Sequence, residues 1–149
     1  MRLFLVFLLS FLFSYAFSQE LREDGFYYID GNLFSGTFTE KYEDGAVKTR
    51  LSVRSGKPHG KIEHYHQNGN LKEIRSFRNG LKHGKWTKYN EEKVMISIAR
   101  YRKDLKHGKW KIWDDSANLR YTLQYKKGEK VGTWEMFDEN GELIDSKTY

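Results

Sequence analysis

The chain carries five histidines, and their spacing raises the question of metal binding. His59, His83 and His107 recur at 24-residue steps, while His64 and His66 follow His59 closely. If each step comprises two β-strands, equivalent rings lie about 9.6 Å apart, whereas zinc holds each nitrogen ligand at about 2 Å. The histidines are therefore interpreted as structural or turn residues, and no metal site or cofactor is predicted.

Other patterns associated with catalysis fail on spacing. The run Gly56–Lys61 resembles a phosphate-binding loop, but it is one residue short and an apolar residue replaces the hydroxyl that would bind magnesium. The carboxylate pairs Glu91-Glu92 and Asp114-Asp115 are adjacent in sequence, and adjacent strand residues point to opposite faces. The sequence has no G-x-S-x-G or H-E-x-x-H motif and no cysteine. We therefore expect no enzymatic activity, no catalytic residues and no small-molecule substrate.

Lysines recur in step with the histidines and could form a surface for anions. The predicted anion-binding edge consists of Lys57, Lys82, Lys106, Lys130, Lys61, Lys85 and Lys109. The alternative is a solvated edge that prevents strands from aggregating. Aromatic residues recur as well, and they either pack as a core or form cages for cations or sugars.

The strands that position these side chains can be predicted from a 24-residue internal repeat. The repeat is clearest in the motif LKHGKW, which occurs twice with this spacing. A glycine column and a tryptophan column give predicted structural positions, namely Gly36, Gly60, Gly84, Gly108, Gly132, Trp86, Trp110 and Trp134. Each glycine is expected to have positive φ where the chain enters a strand, and each tryptophan to cover the inward sheet face.

The repeat predicts two strands per unit. Turn pairs such as Asn68-Gly69, Asn79-Gly80 and Asn140-Gly141 separate apolar segments of about six residues, which is typical of tight β-hairpins. The fold class is predicted to be all-β, an elongated open antiparallel meander of about ten strands built from stacked β-hairpins. Its five units lie near residues 25–47, 48–71, 72–95, 96–119 and 120–149.

The run from Asn68 to Tyr89 resembles the MORN-repeat variant of bacterial proteins. In that family the unit is close to N-G-x-L-x-x-x-x-x-Y/F-x-N-G-x-x-x-G-x-W-x-x-Y, and the resemblance extends from about Gly25 to Tyr149. The resemblance implies an open, curved sheet of stacked hairpins. Because related proteins are often labelled antitoxins, it also implies neutralisation of a partner protein.

Residues 1–18 have the features of a secretory signal. A positive start precedes the apolar stretch Leu3–Phe13, and Ala16-Phe17-Ser18 offers the small-x-small pattern that a signal peptidase accepts. Even the longer run Leu3–Phe17 is shorter than the roughly 20 residues that a spanning helix needs. We therefore expect cleavage before Gln19, a single domain over residues 19–149, and a periplasmic, envelope-associated or secreted protein.

Composition and charge limit the classes of molecule that the protein is expected to bind. The chain has 26 lysines and arginines and 20 aspartates and glutamates, and Arg2 is the one charged residue among them that lies in the predicted signal. This is a mild cationic bias that is not a nucleic-acid signature. The sequence predicts an exported, non-enzymatic β-repeat scaffold that binds another macromolecule, in the first place a protein and in an antitoxin-like way. The alternative is an envelope attachment module that binds anionic lipid headgroups or cell-wall polymer.

Overall fold

The computed structural model describes residues 19–149, and the predicted signal sequence lies outside this range. A small antiparallel sheet contains β1 (Gln19–Leu21), β2 (Tyr27–Ile29) and β3 (Asn32–Leu33). The remaining strands form one large sheet: β4 (Gly36–Lys41), β5 (Val47–Arg54), β6 (Lys57–Tyr65), β7 (Leu71–Arg78), β8 (Leu81–Tyr89), β9 (Met95–Arg102), β10 (Leu105–Lys106), β11 (Gly108–Trp113), β12 (Leu119–Lys126), β13 (Glu129–Lys130), β14 (Thr133–Phe137) and β15 (Leu143–Thr148).

The large sheet is an antiparallel meander in which chain neighbours are also neighbours in space. Its order is β15-β14-β12-β11-β9-β8-β7-β6-β5-β4. The short strands β10 and β13 pair with β9 and β12, so each begins a strand that β11 or β14 completes. The open all-β meander of about ten strands predicted from the sequence is therefore confirmed. Between Gln19 and Tyr149 no helix has the length and apolar character needed to cross a bilayer.

Two kinds of turn join the strands, one on each margin of the sheet. On the first margin the turns have two central residues with positive φ, as at Asn79-Gly80 (51° and 82°) and Lys103-Asp104 (51° and 66°). This is the type I′ geometry that matches strand twist. On the second margin the turns are longer, and a backbone hydrogen bond closes each, as from Gly69 N–H to the His66 carbonyl (2.9 Å).

A register shift accompanies the longer turns in every hairpin. It lies between Glu40 and Lys41 in the first hairpin and at the same place in each later one. In the first copy Tyr42 stands one position later than the aromatic residue of the other copies, but the shift is not confined to that copy. The irregularity is a property of the repeat. A residue in the αL conformation at the end of such a turn is typical of a β-bulge, in which one strand has an extra residue.

Within residues 19–149 the large sheet is a single layer, and its cluster of buried apolar residues lies at one end. Phe34, Leu51 and Val53 form the buried cluster, and Tyr27 and Phe38 pack against it. Hydrogen bonds from Tyr27 N–H to Gly56 O and from Gly56 N–H to Phe34 O hold the small sheet against this end. The residues of the expected first unit thus supply β2 and β3 of the small sheet in addition to β4. Along the rest of the large sheet, ring packing on one face takes the place of a second layer.

Candidate interaction surface

One face of the large sheet carries a continuous row of aromatic rings, called the aromatic ladder below. Neighbouring ring centroids lie 4.7–5.5 Å apart, within the range of favourable tilted and edge-to-face pairs. The rings are, in order, Phe77, Trp86, Tyr101, Trp110, Tyr125, Trp134 and Tyr149. Tryptophans from one column of the repeat therefore alternate with Phe or Tyr from another.

Three glycines of the repeat lie directly opposite ladder rings on the neighbouring strands. Gly84 pairs with Tyr101 across the sheet, and Gly60 and Gly108 pair with Phe77 and Tyr125 in the same way. The φ of Gly84 is +85°, a conformation that costs a non-glycine residue about 1–2 kcal/mol. A Cβ there would meet the Ser76 Cβ at an ordinary 3.4 Å. The backbone angle rather than lack of space therefore selects glycine.

Each ladder tryptophan is also fixed through its ring nitrogen. Trp86 Nε1–H donates to the Ser76 carbonyl at 3.0 Å, and Trp110 and Trp134 donate to the Arg100 and Gln124 carbonyls at 3.1 and 3.0 Å. The acceptor lies ten residues earlier in every case. Since the bond repeats with the 24-residue step, it sets the tilt of the indole throughout the ladder.

Three of the predicted anion-binding lysines lie on the aromatic ladder. Lys82 Nζ lies 5.4 Å from the ring centroids of both Trp86 and Tyr101. Lys106 Nζ lies 5.0 Å from the ring centroid of Trp110 and 4.8 Å from that of Tyr125. Lys130 Nζ lies 4.5 Å from the ring centroid of Trp134 and 4.9 Å from that of Tyr149. These distances are those of cation–π contacts. The chain's own ammonium groups thus occupy the ring faces that the cage hypothesis would give to a ligand.

The other predicted lysines have different surroundings. Lys57 Nζ lies 4.8 Å from the ring of Phe26, which directly precedes β2. Lys61, Lys85 and Lys109 are exposed, and each directly precedes a residue of the ladder face. Because strand residues alternate between faces, these three side chains lie on the opposite face. The seven lysines therefore do not form one surface.

A second basic column, which the predicted anion-binding edge does not include, lies on that opposite face. It occupies the last strand position before each type I′ turn and directly follows a ladder-face residue: Arg54, Arg78, Arg102 and Lys126. The same 24-residue step reveals it in the sequence. Together with Lys61, Lys85 and Lys109 this column forms the basic strip, seven exposed side chains on one face along one margin. The ion pairs formed between Gln19 and Tyr149 involve other side chains.

The strip contains a shallow hollow of about 600 Å³ between the middle hairpins. It is lined by Arg78, His83, Lys85, Arg100, Arg102 and His107, together with Gly84 and Tyr101. Four of these side chains carry a positive charge at neutral pH, and no carboxylate lines the hollow. Neighbouring members of one column stand two strands apart, about 9.6 Å. This spacing slightly exceeds the Debye length of about 8 Å at physiological salt, so these charges act together only on a partner that is in contact with the strip.

The opposite margin of the sheet is acidic. Its turns contain Glu43-Asp44, Glu91-Glu92, Asp114-Asp115 and Asp138-Glu139. The Asp114 carboxylate accepts hydrogen bonds from the Asn118 and Ser116 N–H groups (2.9 and 3.1 Å), and the bond from Asn118 is the main cause of its lowered pKa. Asp44 and Asp138 accept equivalent backbone bonds in their own turns, so in three of the four turns one carboxylate of the pair stabilises the turn. The sheet has one basic margin and one acidic margin, which the net charge does not reveal.

The histidines contact protein groups. His59 Nδ1 lies 3.0 Å from Asn79 Oδ1, His64 Nδ1 lies 3.2 Å from Thr49 Oγ1, and His66 Nε2 lies 3.2 Å from the Tyr89 carbonyl. Burial lowers the pKa of His64 most, and the positive charge of Arg75 lowers it further. Residues 19–149 contain no group of three or more His, Cys, Asp or Glu side chains arranged to hold a metal ion.

Two stretches of the chain match a known repeat. Residues 58–79 and 130–149 match the MORN repeat variant. The first stretch covers most of β6 and β7 up to the type I′ turn, and the second covers the last hairpin. No curated protein matches the chain.

Proposed function

We propose that this protein is an exported, non-enzymatic scaffold that binds an acidic surface of a partner protein through its basic strip. One observation carries the proposal: seven exposed basic side chains recur in two columns on a single face. The MORN repeat variant stretches support a binding role. An antitoxin-like function would be one form of it, in which the scaffold covers the functional site of its partner.

The two faces of the sheet have different roles in this proposal. Lys82, Lys106 and Lys130 lie over rings and stabilise the ladder face. Within residues 19–149 the strip residues form no cation–π contact and no ion pair, so their charge remains available to a partner. Charged side chains arranged in this way raise association rates and select partners of opposite sign.

Envelope attachment is the second candidate, and the regular spacing of the strip supports it. Side chains that repeat every two strands, at intervals of about 9.6 Å along a margin, suit a surface with repeated negative charges. Anionic lipid headgroups and an acidic cell-wall polymer are surfaces of this kind. Each basic residue near such a membrane contributes about 1 kcal/mol.

A charge-reversal pair of variants tests the strip. The strip variant carries Arg78→Glu, Arg102→Glu and Lys126→Glu. The control carries Lys41→Glu, Lys72→Glu and Lys93→Glu, three exposed lysines outside the strip, so both lose the same net charge. Crosslinking in the native envelope identifies the bound partner, and its affinity is then measured for each variant.

The proposal predicts that the strip variant loses the partner and the control keeps it, with unchanged circular dichroism in both. Equal binding by the strip variant and the wild type contradicts the proposal. Vesicles with and without anionic lipid separate the two candidates. Binding only to anionic vesicles, lost in the strip variant, favours envelope attachment.

A further inference from the structure

The last strand of the large sheet has an open edge with unusual exposure. Among residues 19–149, strand β15 pairs with β14 on one side and stands at the end of the sheet order. All its residues are exposed; Leu143 and Ile144 are each 55% exposed, and the adjoining Tyr149 is 44% exposed. An exposed edge strand with apolar side chains is a template for pairing with another strand.

The backbone of β15 directs alternate residues toward this open side. Tyr149 N–H donates to the Gly132 carbonyl at 3.0 Å, so it faces β14. In antiparallel strands the N–H and C=O groups of one residue point to the same side, and successive residues alternate. Asp145 and Lys147 therefore also face β14, and the backbone groups of Ser146 and Thr148 face the open side.

The sequence of β15 is complementary to itself in one antiparallel register. When two copies are centred on Ser146, Asp145 of each lies opposite Lys147 of the other. The register shift between Leu143 and Asp145 leaves Leu143 outside this regular pairing. Directly opposed charges of opposite sign stabilise a sheet. Ser146 then forms a hydrogen-bonded pair with its own copy, as its outward backbone groups require.

Neighbouring registers are unfavourable for two reasons. Centring the pair on Asp145 or on Lys147 keeps the outward backbone groups paired, but it places like charges directly opposite each other. A shift by a single residue sets Ser146 opposite a residue whose backbone groups face β14, so the hydrogen bonds between the two copies are lost. The register centred on Ser146 therefore satisfies the charges and the hydrogen bonds together.

The charge distribution of the whole sheet agrees with this arrangement. Strand β15 runs from the acidic margin to the basic margin. In an antiparallel pair the acidic turn 138–142 of one copy therefore comes alongside the basic end of the other. This is a long-range complementarity that parallel stacking of the two copies would lack.

We propose that two copies of this chain form a symmetric dimer by pairing their β15 edges, centred on Ser146, into one continuous sheet. The same patch serves both copies, so the contact closes on itself. One strand pair buries less than the roughly 1,600 Å² of a standard stable interface. The dimer is therefore weak and reversible. It also joins two basic strips in a single molecule.

A charge-exchange series on the protein produced from the full-length chain tests the dimer, with the dimerisation constant measured by sedimentation equilibrium. Lys147→Asp places Asp opposite Asp145 twice, and Asp145→Lys places Lys opposite Lys147 twice. Each single change weakens dimerisation at least tenfold. The double exchange Asp145→Lys with Lys147→Asp restores the opposite pairs and returns the constant to within about threefold of wild type, as expected for directly coupled residues.

A backbone variant tests the hydrogen bonds independently. Ser146→Pro removes an outward N–H that β14 does not use, and proline is tolerated on edge strands in that orientation. The variant stays monomeric with unchanged circular dichroism, whereas Ser146→Ala, which keeps the N–H, dimerises as wild type.

Three results would overturn the proposal: a wild type that is monomeric at all concentrations, dimers unaffected by Lys147→Asp or Ser146→Pro, and open filaments. Filaments would mean that β15 pairs with β4 of the next copy instead. If Ser146→Pro fails to fold, the charge-exchange series decides alone.

Discussion

Replacing Trp110 by alanine is the most direct perturbation of the aromatic ladder, because this indole lies in its middle. The ring lies 5.3 Å from the Tyr101 centroid and 5.1 Å from the Tyr125 centroid, and its Nε1–H donates to the Arg100 carbonyl. Alanine removes all three contacts and interrupts the row of rings. It also removes one of the two rings beneath the Lys106 ammonium.

The contacts set the expected magnitude. Each aromatic pair contributes about 1 kcal/mol beyond area burial, and the hydrogen bond about 1 kcal/mol. Partial exposure of the indole reduces the loss from apolar burial, and the neighbouring rings can move to close part of the gap. We expect a decrease of about 3 kcal/mol in the free energy of unfolding, at the lower end of Trp→Ala losses in buried cores.

Urea denaturation followed by far-ultraviolet circular dichroism measures this change, provided that the m-value stays that of wild type. Trp110→Phe separates the contributions, because it keeps a stacked ring and loses the hydrogen bond. We expect a decrease of about 1 kcal/mol for this variant.

Double-mutant cycles test whether the ladder acts through neighbour contacts. Trp110→Ala combined with Tyr125→Ala should be non-additive by about 1 kcal/mol, since the rings touch. Trp86→Ala combined with Trp134→Ala should be additive, because three rings lie between them. A Trp110→Ala variant within about 0.5 kcal/mol of wild type would refute a stabilising ladder, and so would equal coupling in both cycles.

Three further predictions concern single positions. Gly69 has φ +82° with open space around its Cβ position, and Ala117 has φ 65° at the equivalent turn. In urea titrations Gly69→Ala should lower the free energy of unfolding by about 1 kcal/mol, and Ala117→Gly should raise it by about 1 kcal/mol. Changes of the same sign would exclude a backbone cause. Lys106→Glu places a carboxylate on two ring faces and should destabilise by about 1 kcal/mol, whereas Lys106→Met, which keeps the apolar packing, should cost less; equal thermal midpoints for both would exclude a cation–π contribution. The lowered pKa of His64 means that the folded state favours the neutral ring. Its contribution to the stability of the fold is therefore fully present above about pH 6.5 and is lost as the pH falls toward the lowered pKa. His64→Gln should flatten this acidic decline in a series of melting curves, and an unchanged decline would contradict the assignment.

Much of the fold could be predicted because its determinants are local. Asn79 and Gly80 both have positive φ, and in Asn68-Gly69 the glycine does. Each pair marks a turn, and the 24-residue step assigns one hairpin to each repeat unit. Small exposed strands carry no such signal. The sheet of β1, β2 and β3 was therefore missed, since its strands have only two or three residues and depend on tertiary contacts such as that between Tyr27 and Phe38.

The candidate surface was predicted less well, for two physical reasons. Lys82 and Lys85 differ by an odd number of positions, so alternation places them on opposite faces; the predicted edge combined them because it followed columns of the repeat. The contact of Lys82 with two rings depends on a side-chain conformation that only the folded ladder defines. The column of Arg78 and Arg102 obeys the same period as the glycines, and reading charges column by column would have revealed it.

The absence of a second layer over residues 57–149 links stability to function. A globular sheet buries one face against helices or another sheet, but here the ladder rings pack against one another along the face. Each hairpin therefore contacts mainly its neighbours, as in other repeat architectures. The opposite face need not contribute apolar packing, and it can carry the concentrated charge of the basic strip. Substitutions in the ladder should consequently change the unfolding free energy with little effect on partner binding per folded molecule, and substitutions in the strip should do the reverse. If ladder and strip variants changed both quantities together, the two faces would be one functional unit, and the division of roles on which the proposed function depends would be wrong.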